Sequence, residues 1–195
     1  MIAEDNLVVL HTTYGNALAF GAENLVAFDV FRVEGDKIVE HWDNLQPAVP
    51  TDQTASGRSM VDGPTEITDL NKTTENKALV QSFVTDVLMG VAPQNITNYI
   101  STETYHQHNP LVKDGLEGLA GLMSSLQEQG VALRYDTVHM VVAEGNFVFT
   151  AAEGVLGDAE TAFFDLFRVQ DGKIVEHWDV LSEIPSEFAH ENGKF

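Results

Sequence analysis

A chain that repeats part of itself has to house both copies in one fold, and this one does. Residues 28–44 and 164–180 agree at 12 of 17 positions at a constant offset of 136, which marks an internal repeat. Each copy is two short runs of β-branched and aromatic residues joined by a Gly/Asp turn, so the repeated object reads as a β-hairpin. Every other segment takes its meaning from where it stands relative to these hairpins.

The first 45 residues contain no helix signal: Leu7 to His11 alternate, and the first hairpin follows over 24–45. Residues 46–71 hold three of the six prolines with many Thr, Ser and Asp, a linker composition. Thr73 then opens a helix with a hydroxyl cap, and Ala78, Leu79, Phe83, Val84, Val87 and Leu88 recur at helical spacing as far as Gly90. A short helix over 93–100, a third over 116–129 ending at Gly130, and four strands at about 132–143, 146–154, 161–169 and 173–181 complete the order. Residues 72–195 therefore form a complete α+β unit, whereas residues 1–45 match only its last strands. Aligning Ala3–Asn6 with Ala143–Asn146 changes the offset to 140, so the first copy has four extra residues before its hairpin. A bare half sheet exposes an apolar face and open edges. It must lean on the second copy within the chain, or share strands between chains.

Composition removes several classes of function. Thirty acidic against ten basic side chains give a formal charge of −20, which repels phosphate backbones and anionic lipid surfaces, so neither nucleic acid nor membrane is an expected partner. With no cysteine, thiolate nucleophiles, disulfides and Cys-based metal sites are excluded. Met1 to Asn6 lack the basic and apolar regions of a secretory leader, and no apolar run approaches the roughly 20 residues of a membrane span; a cytoplasmic location is expected. No Gly-rich phosphate loop or strand-elbow serine is present, which leaves nucleotide-dependent and serine-hydrolase chemistry without support.

The stretch Tyr105-His-Gln-His-Asn-Pro110, the turn at Asp114-Gly115 and the final hairpin from Phe164 to Asp179 together resemble the SnoaL-like polyketide cyclase group of the nuclear transport factor 2-like superfamily, in its predicted aldol-condensation variant. The resemblance covers residues 73 to about 185 fully and residues 1–45 as a C-terminal half. It implies an α+β cone, a curved and mostly antiparallel sheet wrapped around helices with a pocket at its open end, commonly a homodimer through the sheet faces. It also implies a small apolar carbonyl ligand and cofactor-free aldol closure, in which a carboxylate removes a proton next to a carbonyl. Asp179 maps onto the position of that base, with Asp165 or His177 as its partner.

Hairpin geometry bears on that assignment. If Gln170–Gly172 form a three-residue loop, Asp165 opposes His177 and Phe163 opposes Asp179, all on one face. If Asp171-Gly172 is a two-residue turn, Asp165 and Asp179 fall on opposite faces. The three-residue loop is the expectation. His106 and His108 flank Gln107 at strand spacing, so both point to one side; His108 is a candidate for proton transfer, and His106 for ligand contact. His-x-His with a carboxylate would be an acceptable divalent ligand set, but spacing alone is weak support and no metal or other cofactor is expected. Tyr105, Phe83, Met123 and Phe147 are candidate pocket walls, and Trp178 belongs on the face opposite Asp179. Three roles fit these residues: a cofactor-free cyclase or isomerase, a non-catalytic small-ligand carrier, and an assembly module whose half copy buries a large apolar surface.

Overall fold

The computed structural model describes residues 1–195, and nine strands divide them into two sheets. In the first, β1 (Ile2–Glu4), β2 (Leu7–Gly15), β3 (Asn24–Glu34) and β4 (Lys37–Pro47) follow one another as an antiparallel meander. In the second, β6 (Leu133–Glu144), β7 (Phe147–Leu156), β8 (Ala159–Gln170) and β9 (Lys173–Glu183) do the same, and the two-residue β5 (His106–Gln107) pairs parallel to the free edge of β9. Helices α1 (Thr73–Phe83), α2 (Ile96–Tyr99) and α3 (Gly115–Gln129) belong to the second sheet alone. The expected strands and helices are present, but the first helix, expected to run to Gly90, is α-helical only to Phe83 and continues as a π-helical stretch over Val84–Leu88.

Both repeated hairpins have a two-residue turn followed by a bulge, although in the first copy only Gly35 of its turn has a positive φ. Gln170 pairs with Lys173 around a two-residue turn in which Asp171 and Gly172 both have positive φ, 51° and 71°, the backbone form whose twist matches the flanking strands. A β-bulge follows at once: Val169 faces Ile174 but Arg168 faces Glu176, so Val175 is the unpaired residue. Residues 33 and 32 face 38 and 40 in the same manner in the first copy. The three-residue loop is therefore replaced by a two-residue turn plus a bulge. The turn alone would have put Asp165 and Asp179 on opposite faces, but the extra residue shifts the pairing by one and sets them directly across from each other.

The capping hydroxyl expected at Thr73 does other work: its Oγ1 donates to Leu70 O and accepts from Gly145 N. From α1, Val80 and Phe83, with Val84 beyond it, pack on Val148, Phe167, Val169 and Ile174 of the sheet's inner face, all 2% exposed or less. The Phe83 and Phe167 rings meet edge to face at 5.6 Å.

The outer face of the second sheet, which a homodimer was expected to use, is covered by the first sheet of the same chain. Val9, Val26, Phe28 and Val30 on one side and Phe149, Ala151, Phe164, Trp178 and Val180 on the other form one buried cluster. The two sheets of the chain stack face to face without sharing a strand. Ala3 N donates to Glu144 Oε2 at 2.7 Å while Ala143 N donates to Glu4 Oε2 at 2.8 Å. Since Ala3 and Glu4 stand to Ala143 and Glu144 at the repeat offset, this reciprocal pair has the pattern of a two-fold interface, written within one chain. Near the other end Asn44 Nδ2 donates to Ala162 O and Val180 O at 3.1 and 2.6 Å.

Residues 48–69, between the sheets, run as an ordered strap. Ala55 N donates to Pro110 O, Arg58 holds both oxygens of Asp114, and Thr68 N donates to Asn146 Oδ1. Gly63 has φ of 117°, and a Cβ there would lie 2.7 Å from the Trp178 ring and 2.9 Å from Glu176 Oε1, so only glycine lets the strap lie this close.

Candidate functional site

Between the inner face of the second sheet and α3 lies a cavity of about 460 Å³, with 19 hydrophobic side chains among its 25 lining residues. Leu116, Leu119, Met123 and Leu126 of α3 form one wall; Phe83, Phe163 and Phe167 form another. Leu111 and Met123, 75% and 48% exposed, put its mouth at the surface. The polar groups of the lining are Asp165, His177, Asp179, Gln107 and Asn109, joined by the hydroxyls of Tyr105 and Tyr135 from among the hydrophobic set.

The register explains how these groups meet. On β8 and β9, residues 165, 167, 177 and 179 all point inward because the bulge pairs Asp165 with Asp179 and Phe167 with His177. Strand β5 sets Gln107 beside His177, which carries its amide inward as well. His177 Nδ1 donates to Gln107 Oε1 at 2.9 Å, and its Nε2 lies 3.0 Å from Asp165 Oδ1. Both ring nitrogens face acceptors, an arrangement that favours the doubly protonated ring. Burial alone would lower its pKa, but the hydrogen bond with Asp165 and the charges of Asp179 and Asp165 hold it above the usual imidazole value. Tyr135 Oη donates to Asp165 from 3.2 Å, and its own pKa is driven well up, first by burial and then by the two carboxylates.

Asp179 is the unbalanced member. Asn109 Nδ2 donates to its Oδ2 at 2.7 Å, while Oδ1 is buried with no hydrogen-bond partner. Burial raises its pKa to about 6, with the neighbouring Asp165 charge adding to the rise and His177 and Asn109 opposing it. A carboxylate oxygen that is desolvated, unpaired and titrating near neutrality is suited to take up a proton.

Of the candidates read from sequence, Asp165, His177, Asp179, Tyr105, Phe83 and Met123 line this cavity. Three do not. His108 lies on the far side of β5, with Nδ1 on Ser59 O at 2.6 Å and Asp62 Oδ1 at 3.0 Å, Nε2 on Glu176 Oε1 at 2.9 Å, and its ring stacked on Trp178 at 4.6 Å. It and His106 do share one side as alternation requires, but that side faces the strap and not the cavity. His106 approaches Asp114 at 3.4 Å. Phe147 belongs to the core between the sheets. Gln107, Asn109 and Tyr135 were not singled out. The signal for the first was available, because a strand that turns His106 and His108 one way turns Gln107 the other.

The first sheet repeats the triad: Asp29 opposes Asp43, and His41 Nε2 lies 2.8 Å from Asp29 Oδ1. Tyr14 Oη, from β2, donates to Asp29 Oδ2 at 2.9 Å, the part Tyr135 plays in the second sheet. No helices cover this copy, and His41 and Asp43 are exposed.

Residues 93–177 match the SnoaL-like domain family, a span that takes in Gln107, Asp165 and His177 and stops two residues before Asp179. No curated protein is significantly similar to the chain. Among solved structures it is similar to a protein assigned as a ketosteroid isomerase from Kribbella flavida (17% identity, 63% of this chain and 87% of that one, TM-score 0.47). It is also similar to IdmH from Streptomyces antibioticus, assigned as a polyketide cyclase (19%, 55% and 92%, TM-score 0.43). A third is an epoxide hydrolase of M. tuberculosis (21%, 57% and 85%, TM-score 0.44). Scores this low carry no argument about this chain's fold or reaction. Residues 93–177, which supply Gln107, Asn109, Asp165 and His177 of the cavity, are similar to the SnoaL-like domain family.

Proposed function

We propose that the cavity binds a small, largely apolar carbonyl compound and that Asp179 removes a proton from the carbon next to that carbonyl, in a cofactor-free aldol cyclisation or isomerisation. The observation that carries this reading is the unpartnered Asp179 Oδ1 inside an apolar cavity. Proton transfer from carbon to an aspartate needs a desolvated carboxylate and an already acidic C–H. The Tyr105 hydroxyl accepts from Gln107 Nε2 at 3.4 Å and makes no donation within the protein, so its proton is free for the developing enolate oxygen. His177, locked between Gln107 and Asp165, supplies fixed positive charge near the same place. No lysine or arginine lines the cavity, which favours an uncharged ligand over a carboxylate or phosphate. In this reading residues 1–45 are the strand half of a second SnoaL-like unit, serving as a built-in partner sheet and not as a second catalytic centre.

The test is solvent-deuterium exchange into 1,3-dicarbonyl compounds, with the parent chain, Asp179→Asn and Asp43→Asn. Exchange lost in Asp179→Asn and kept in Asp43→Asn is the expected result. Equal losses from the two would refute Asp179 as the base.

A further inference from the structure

The same three donors that serve the proposed proton transfer also have the makings of a metal site, and this does not depend on turnover. Asp165, His177 and Asp179 can each offer one ligand atom with all three atoms within 4.8 Å of one another. Their burial is near complete at 0%, 9% and 6% exposure, so this is not a solvated acidic patch.

Each donor is also oriented from behind. His177 Nδ1 donates to Gln107 Oε1, which fixes the ring and leaves Nε2 facing the other two donors. Gln107 is itself set: its Oε1 accepts from Asn109 N at 3.1 Å and its Nε2 donates to Tyr105 Oη. Asn109 holds Asp179 Oδ2 and leaves Oδ1 unpartnered. Tyr135 steadies Asp165. A ligating histidine whose second nitrogen donates to a carbonyl, beside carboxylates that are hydrogen-bonded in turn, is the outer arrangement metal centres use. Two buried carboxylates facing each other across a hairpin repel; a dication between them removes that repulsion where a single imidazolium only offsets it. The cavity mouth supplies an entry path.

We propose that Asp165, His177 and Asp179 bind one divalent first-row transition ion, with His177 Nε2 surrendering its proton to make room. One imidazole and two carboxylates suit Zn²⁺, Co²⁺, Mn²⁺ or Fe²⁺ better than Mg²⁺ or Ca²⁺, which take all-oxygen sets. Three protein donors leave at least one coordination position open toward the cavity. Because the ion takes Asp179 Oδ1, the loaded protein cannot use that atom as a base, and metal and carbonyl substrate exclude each other.

The experiment is titration of the chelator-treated full chain with Zn²⁺ by calorimetry and with Co²⁺ by visible absorption. The expected result is one tight site per chain, with a Co²⁺ d–d band of low-coordinate intensity. That site is lost in Asp179→Asn and His177→Ala, and weakened about 10- to 100-fold in Asn109→Ala through the outer shell. His41→Ala, which disrupts the exposed counterpart triad, leaves it unchanged. Absence of a saturable site overturns the proposal, as does binding that survives both Asp179→Asn and His177→Ala, or that disappears in His41→Ala. Binding is read without a substrate, so failure of the deuterium-exchange test leaves this inference standing, and the reverse holds too.

Discussion

Replacing Asp179 by asparagine should make the protein more stable at neutral pH while removing its proposed activity. The folded chain holds this carboxyl at a pKa raised from 3.8 to about 6. A carboxyl whose pKa rises on folding carries no cost below its unfolded value; the cost accrues as pH climbs from the unfolded value to the folded one and is complete above it. At about 1.4 kcal/mol per unit, ionised Asp179 costs the fold about 3 kcal/mol at pH 8. The same linkage gives about 1 kcal/mol at pH 4.5, where the folded group is mostly protonated. An amide of the same shape carries no charge, and its oxygen can still accept from Asn109 Nδ2, so Asp179→Asn escapes the cost. Urea denaturation at both pH values measures the difference. In a chain of this size 3 kcal/mol corresponds to an upward shift of about 6–12 °C in Tm. A variant less stable than its parent at pH 8, or an increment equal at the two pH values, would refute the claim that Asp179 is held at a cost to the fold.

Asn109→Ala removes the only donor to Asp179, so the midpoint of the pH–activity profile should move above pH 6, with a loss of about 1–3 kcal/mol at pH 8 from an unpaired buried carboxylate. Paired pH–rate and denaturation curves check both parts. Phe28→Ala, in the core between the sheets and 5.3 Å from the Phe149 ring, should cost about 3–5 kcal/mol in urea unfolding. A loss under 1 kcal/mol would mean that the first sheet is a loosely attached appendage.

Much of this was legible in the chain. Alternation located the strands because both of their apolar faces are used: Phe163 turns to the cavity and Phe164 to the first sheet, and neither is exposed. The triad was legible for a partly mistaken reason. A three-residue loop was expected to bring Asp165 and Asp179 to one face; a two-residue turn and a bulge at Val175 do so instead. Val175 looks like any other strand valine, so nothing local announces that it is unpaired. The role of His108 could not be read because alternation fixes which residues share a side and not which side faces the cavity; both are buried. Gln107 reaches His177 across 70 positions through a two-residue parallel pairing, a contact too short and too distant to leave a pattern.

The two copies of the hairpin separate what a motif carries from what its surroundings add. Asp29, His41 and Asp43 keep the residues, the turn length, the bulge and the internal hydrogen bond of Asp165, His177 and Asp179. What differs is the cover. In the second sheet α1, α3 and β5 enclose the inner face, supply Gln107 and Asn109, and exclude the water that would otherwise satisfy Asp179 Oδ1. In the first sheet water reaches His41 and Asp43 directly, and screening removes the electrostatic tension that gives the buried set its reactivity. Chemistry therefore resides in the helices and the short edge strand as much as in the repeated residues. The first copy, relieved of that role, contributes through its other face, where Phe28, Val26 and Val30 shield the back of the site. On this argument, substitutions in α1 or α3 that admit water should lower Asp179 toward an ordinary carboxylate pKa and weaken it as a base without touching any residue of the triad.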